Sequence, residues 1–117
     1  MEINLLKPKD IKINSYGKNL FLISGKRYTG PVLILKNKIL KKKNLKPSDV
    51  KINFLKKIIL ENNLDFLILG ADEKVNKNIN SNKNLKIELM STSAACRTIN
   101  ILFSEERNIG ALLFPIN

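Results

Sequence analysis

The chain opens on apolar and polar positions that alternate in twos, and it closes on patterns of helical period. Ile11 and Ile13 alternate with Lys12 and Asn14, the repeat of a half-buried strand. Short apolar runs follow, Leu20 to Ile23 after Gly17 and Pro31 to Leu35 after Gly30. The Gly25-Lys26-Arg27 segment between them is expected to be a hairpin turn. Ile39-Leu40 predicts one more short strand. The N-terminal third is therefore expected to form an antiparallel β-meander.

Pro47-Ser48-Asp49 predicts the start of a helix, with Ser48 or Asp49 as its cap. Val50, Phe54, Leu55, Ile58 and Ile59 recur behind it at helical spacing, and Asn62-Asn63 ends the pattern. The run from Asp65 to Gly70 has the character of a central strand buried on both faces. Residues 73–84, rich in asparagine and lysine, are expected to be loop with at most one helical turn. Leu85 to Met90 predicts a strand. STSAACRTINILFSEER predicts the clearest helix, capped by Ser91 or Thr92 and running to about Arg107. Ile109 to Phe114 predicts a closing strand. Strand–helix–strand order across residues 65–114 implies largely parallel pairing. The expected fold is a single compact α/β domain over residues 1–117, an N-terminal meander joined to an α/β half with a mixed sheet.

Length agrees, since 117 residues suffice for one modest core. The single cysteine, Cys96, excludes an internal disulfide and a multi-cysteine zinc site within the chain. MEINLLKPKD has no apolar stretch of signal-peptide length, and no run is long enough to span a membrane. Cytoplasm is the expected compartment. The net charge of +11 brings nucleic acid and anionic membrane surfaces into view. Nine lysines against one acid, Asp49, fall in residues 36–57. The composition also has the lysine–asparagine–isoleucine bias of an AT-rich genome, and arginine occurs only three times.

Catalytic chemistry has little to stand on. Without histidine, the commonest general base and metal ligand are missing, and serine–histidine or cysteine–histidine pairs cannot form within the chain. The scattered glycines make no phosphate-cradling loop. Glu105 and Glu106 are adjacent and point about 100° apart on a helix. Cys96 falls on the apolar side of the last helix, the place of an inert structural thiol. On another side Ser93, Arg97, Asn100, Ser104 and Arg107 form a polar stripe, read either as a solvated face or as a surface for an anion or a partner protein. Arg97 lies near the helix start, where free amides favour an anion. Asp72, at the carboxyl end of the central strand, is either a polar anchor in a ligand crevice or a turn former.

The block MSTSAACRTINIL, followed by Glu105, Arg107 and Ile109-Gly110-Ala111-Leu112-Leu113, resembles the signature of a family of small domains. That family includes the mitochondrial complex I assembly factor 3 and many bacterial and archaeal proteins. Tyr16-Gly17, Phe21, Gly25, Tyr28, Gly30 and the Asp65 to Gly70 run match its earlier landmarks in order and spacing. The resemblance implies a compact α/β fold with a mixed sheet and a non-catalytic part in building a complex. Its motif positions here are Cys96, Arg97, Asn100, Glu105 and Arg107. Two departures stand out: Gly70-Ala71-Asp72 replaces a common Gly-Thr-Gly, and Ile99 stands where an aromatic is frequent.

Three functions follow. The first is a non-catalytic protein-binding or assembly factor for a respiratory or other membrane complex, with another protein as partner and no cofactor or metal. The second is a small-molecule or anion-binding domain, conceivably a cryptic enzyme, using a crevice near Gly70 and Arg97. The third and weakest is nucleic-acid binding through the 36–57 lysine cluster, which has only Phe54 as an interleaved aromatic; the overall positive charge also allows weak contact with a membrane surface.

Overall fold

The computed structural model describes residues 11–79, 86–103 and 107–116. Eight strands and three helices follow in the order β1 (Ile13–Gly17), β2 (Leu20–Ile23), β3 (Lys26–Thr29), β4 (Val32–Leu35), β5 (Lys38–Lys41), α1 (Ile52–Glu61), β6 (Phe66–Gly70), α2 (Glu73–Ile79), β7 (Ile87–Met90), α3 (Thr92–Leu102) and β8 (Ile109–Leu113). The strands make two sheets. One is a three-stranded antiparallel sheet, β1-β2-β3, and the other is a five-stranded mixed sheet in the order β5-β4-β8-β6-β7. The α/β expectation with a mixed sheet holds, as does parallel pairing of β6 with β7 and β8.

The mixed sheet is the central layer, and its period-two alternation feeds two cores. Val32, Ile34, Ile68, Ile109, Ala111 and Leu113 point to one side, where β1–β3 and the Ala95–Cys96–Ile99 face of α3 cover them. Leu33, Leu35, Leu67, Leu69 and Leu112 point to the other, against Leu55, Ile58 and Ile59 of α1 and Val75 and Ile79 of α2. β6 and β8 are hydrophobic throughout because both of their faces are covered.

Several local expectations are corrected. The N-terminal meander is not continuous, because β4 and β5 leave it to join the mixed sheet through β4–β8 pairing. Lys26 and Arg27 are strand rather than turn. The β2–β3 hairpin turns at Ser24-Gly25, both at positive φ (49° and 82°), which suits the twist of the flanking strands. Pro47–Asp49 forms a separate 3-10 turn in which the Asp49 carboxylate accepts the Lys46 N–H at 2.9 Å. The chain is extended again at Val50 and Lys51, so α1 begins at Ile52 and neither Ser48 nor Asp49 caps it. Residues 73–79 are a two-turn helix rather than loop. α3 ends at Leu102 with Phe103 as its C-cap, so Arg107 is not on it. Of the expected strand from Leu85, residues from Ile87 onward form β7, and Leu85 lies outside the described residues.

Candidate functional site

α3 starts where the sequence placed it. Ser91 caps it, its hydroxyl accepting the Ala94 N–H at 3.2 Å. The Thr92 hydroxyl donates to the Phe114 carbonyl at 2.7 Å, fastening the helix start to the end of β8. Gly70 permits this close seating. A Cβ there would lie 2.6 Å from the Ala95 Cβ and 2.7 Å from the Leu113 Cδ2. Cys96 is buried in the α3 interface, and that burial pushes its thiol up to about 11, against a smaller downward pull from Arg97. It is a poor nucleophile at neutral pH. Ile99 is wholly buried, so a change of residue there acts on packing rather than on the surface.

The polar stripe separates into parts with different tasks. Asn100 braces the structure: its Oδ1 accepts the Ile13 N–H at 2.7 Å and its Nδ2 donates to the Ile13 carbonyl at 3.0 Å. Arg107, just ahead of β8, places its guanidinium 4.8 Å from the centre of the Phe66 ring, at the opposite end of the sheet from the α3 N-terminus. Ser93 is half-buried with its hydroxyl 3.3 Å from that of Ser91. Ser104 and Glu105 lie outside the described residues. Arg97 is exposed on the outward side of α3. One turn further along stands Ile101, 66 % exposed. Helix geometry carries the signal for it, because residues 99 and 101 differ by about 200° and a buried Ile99 turns Ile101 outward.

A crevice does open at the carboxyl ends of the parallel strands, where ligands commonly bind in α/β sheets. A cavity of about 550 Å³ is lined by Asp72, Ser91, Ser93, Asn19, Pro47 and Phe114 among others, and a neighbouring one of about 490 Å³ shares Asp72 and Ser91. Arg97 lines neither, so the expected pairing of Arg97 with this crevice is not formed. Asp72 serves as a turn former as well as lining the crevice, because its carboxylate accepts the Val75 N–H at 3.1 Å and caps α2. Asn76 lines the second of these cavities, its Nδ2 donating to the Met90 and Ala71 carbonyls at 3.0 and 3.3 Å.

Residues 13–114, all but the ends of the chain, match the family described as protein of unknown function (DUF498/DUF598). The chain belongs to the DUF498 family. Among curated proteins, this DUF498 chain is similar to the NADH dehydrogenase [ubiquinone] 1 alpha subcomplex assembly factor 3 of Xenopus tropicalis, 26% identical over 110 residues. The match takes in 88% of the chain and 60% of that relative, so the chain spans only part of its length. Among solved structures, a protein of Rhodopseudomonas palustris has 26% identity and a TM-score of 0.68, with 99% of this chain and 90% of that one covered. A second, described as an outer membrane protein from Bartonella henselae, has the same fold at 24% identity and a TM-score of 0.67, covering 99% and 100% of the two chains. Within the described residues of this DUF498 chain, no helix is long and apolar enough to cross a membrane.

Proposed function

We propose that the protein is a non-catalytic binding factor that helps assemble a larger complex, and that the outward side of α3 is its recognition surface. The carrying observation is Arg97 beside the 66 %-exposed Ile101, a cation one helical turn from an unburied isoleucine. Such an arginine–apolar pair has the chemistry of an interface anchor. The similarity to an assembly factor supplies the kind of process, and a respiratory or other membrane complex is the corresponding kind of target. The test places a photo-crosslinking residue at position 98, beside the pair, in the native cell and identifies what it captures. Arg97→Ala and Ile101→Ser should each cost under about 0.5 kcal/mol of stability, as exposed changes do. Each should nonetheless weaken capture about tenfold or more. A large loss of stability on Arg97→Ala, with capture per folded molecule unchanged, would make Arg97 a brace and remove the reading.

The cavity of about 550 Å³ supports a second reading, a small-molecule site at the strand ends. Asp72 suits a ligand that offers hydroxyl or amine donors to its carboxylate. A compound that raises the melting temperature of the wild type but not of Ser93→Trp, which fills the cavity, would favour it over the first.

A further inference from the structure

The mixed sheet ends on β5, and no strand among the described residues lies beyond it. The register pairs Leu33 with Leu40 and Leu35 with Lys38, and the Lys42 N–H donates to the Pro31 carbonyl at 2.8 Å. In an antiparallel ladder this makes 38, 40 and 42 the positions bonded inward to β4. The main-chain N–H and C=O groups of Ile39 and Lys41 therefore face the open edge. Lys38, Leu40 and Lys42 point to the α1 side. There they line a groove of about 320 Å³ with Phe54, Lys57 and Glu61, one flank of α1. Its floor is apolar, and its rim carries three lysines and one carboxylate.

We propose that this groove receives an extended acidic segment of another protein, added to β5 as a further strand. The main-chain groups of Ile39 and Lys41, on the edge that no strand among the described residues pairs with, would supply the hydrogen bonds of strand addition. On the groove face, an added strand lies opposite Lys38, Leu40 and Lys42. The matching segment carries acidic, apolar and acidic side chains at every second position, the apolar one meeting Leu40 and Phe54. A second copy of β5 is a poor occupant, because it would set lysine against lysine, the usual means by which sheet edges resist self-pairing. Nucleic acid fits the lysines but leaves the apolar floor unused, and among the described residues Phe54 is the only aromatic ring lining the groove. The site lies across the mixed sheet from α3, so it stands independently of the surface proposed above.

The test uses the full chain and a fluorescent ten-residue peptide centred on Glu-Thr-Val-Thr-Glu, followed by anisotropy at low and physiological salt. Micromolar binding is expected at low salt. Lys38→Glu/Lys42→Glu should weaken it by about tenfold or more. Lys26→Glu, an equal change per residue on β3, should leave it within about twofold. N-methylation of the peptide amides facing β5 should abolish binding, because it removes the strand's donors. Three outcomes would overturn the proposal. They are equal weakening per substituted lysine by Lys26→Glu, undiminished binding of the N-methylated peptide, and tighter binding of an oligouridylate of the same charge that is itself lost in Lys38→Glu/Lys42→Glu. The first two mean that charge alone attracts the peptide, and the third makes the groove a nucleic-acid site.

Discussion

Asn100 closes a two-bond bracket on the backbone of Ile13, joining α3 to the first strand across 87 positions of sequence. The bracket secures the three-stranded sheet to the α3 side of the molecule just where the β1–β2 register shifts between Ile13 and Ser15. An asparagine is suited to this because its amide offers a donor and an acceptor side by side.

Removal of the bracket should therefore register as instability. Asn100→Ala strands a peptide N–H and a carbonyl, and about 1–2 kcal/mol should be lost in urea denaturation. Asn100→Asp should fare no better, because a carboxylate cannot donate to the Ile13 carbonyl. Unchanged stability together with lost partner capture would reassign Asn100 to the recognition surface.

Gly70 is expected to be intolerant of the smallest side chain. Gly70→Ala drives a methyl into Ala95 and Leu113 and should cost about 1–3 kcal/mol. Pairing it with Ala95→Gly relieves the nearest clash, so the double variant should be more stable than the additive expectation. Strict additivity in thermal melts would show that α3 shifts to make room.

Cys96 predicts an alkaline stability loss with a definite sign. The folded thiol keeps its proton up to about 11, above an ordinary value of 9.0. The contribution is complete below pH 9 and is lost as pH rises towards 11, where the unfolded chain ionises and the folded chain does not. The loss should be on the order of 2 kcal/mol. Burial raises the Tyr28 hydroxyl too, adding a loss of the same sign. Subtracting the Cys96→Ala profile isolates the thiol, and parallel profiles for the two proteins would contradict the assignment.

How much of this is legible in the sequence varies with the kind of signal. β6 and β8 were visible because strands covered on both faces are apolar at every position, and α3 because its cap and buried face coincide in the sequence. β3 was hidden, since in Lys26-Arg27-Tyr28-Thr29 only Tyr28 turns inward and the rest has turn-like polarity. α2 was hidden for a similar reason, resting on the single apolar pair Val75 and Ile79. The start of α1 is not legible, because the capping pattern at Lys46–Asp49 closes a 3-10 turn instead. For the candidate site, spacing grouped Asn100 and Arg107 with Arg97. Only tertiary contacts separate them, for their partners, Ile13 and Phe66, are remote in sequence.

The place of β8 has a consequence for how the protein is made. Among the described strands β8 is made last, yet it is the middle of the mixed sheet, between β4 and β6. Until Ile109–Leu113 emerges, the β4–β5 hairpin and the β6–β7 pair have no common neighbour. Each then presents an unpaired edge of almost wholly apolar residues, Val32–Leu35 and Phe66–Gly70. A nascent chain paused before β8 is thus a natural client for a holding chaperone, because the two halves of the sheet can join only through that strand.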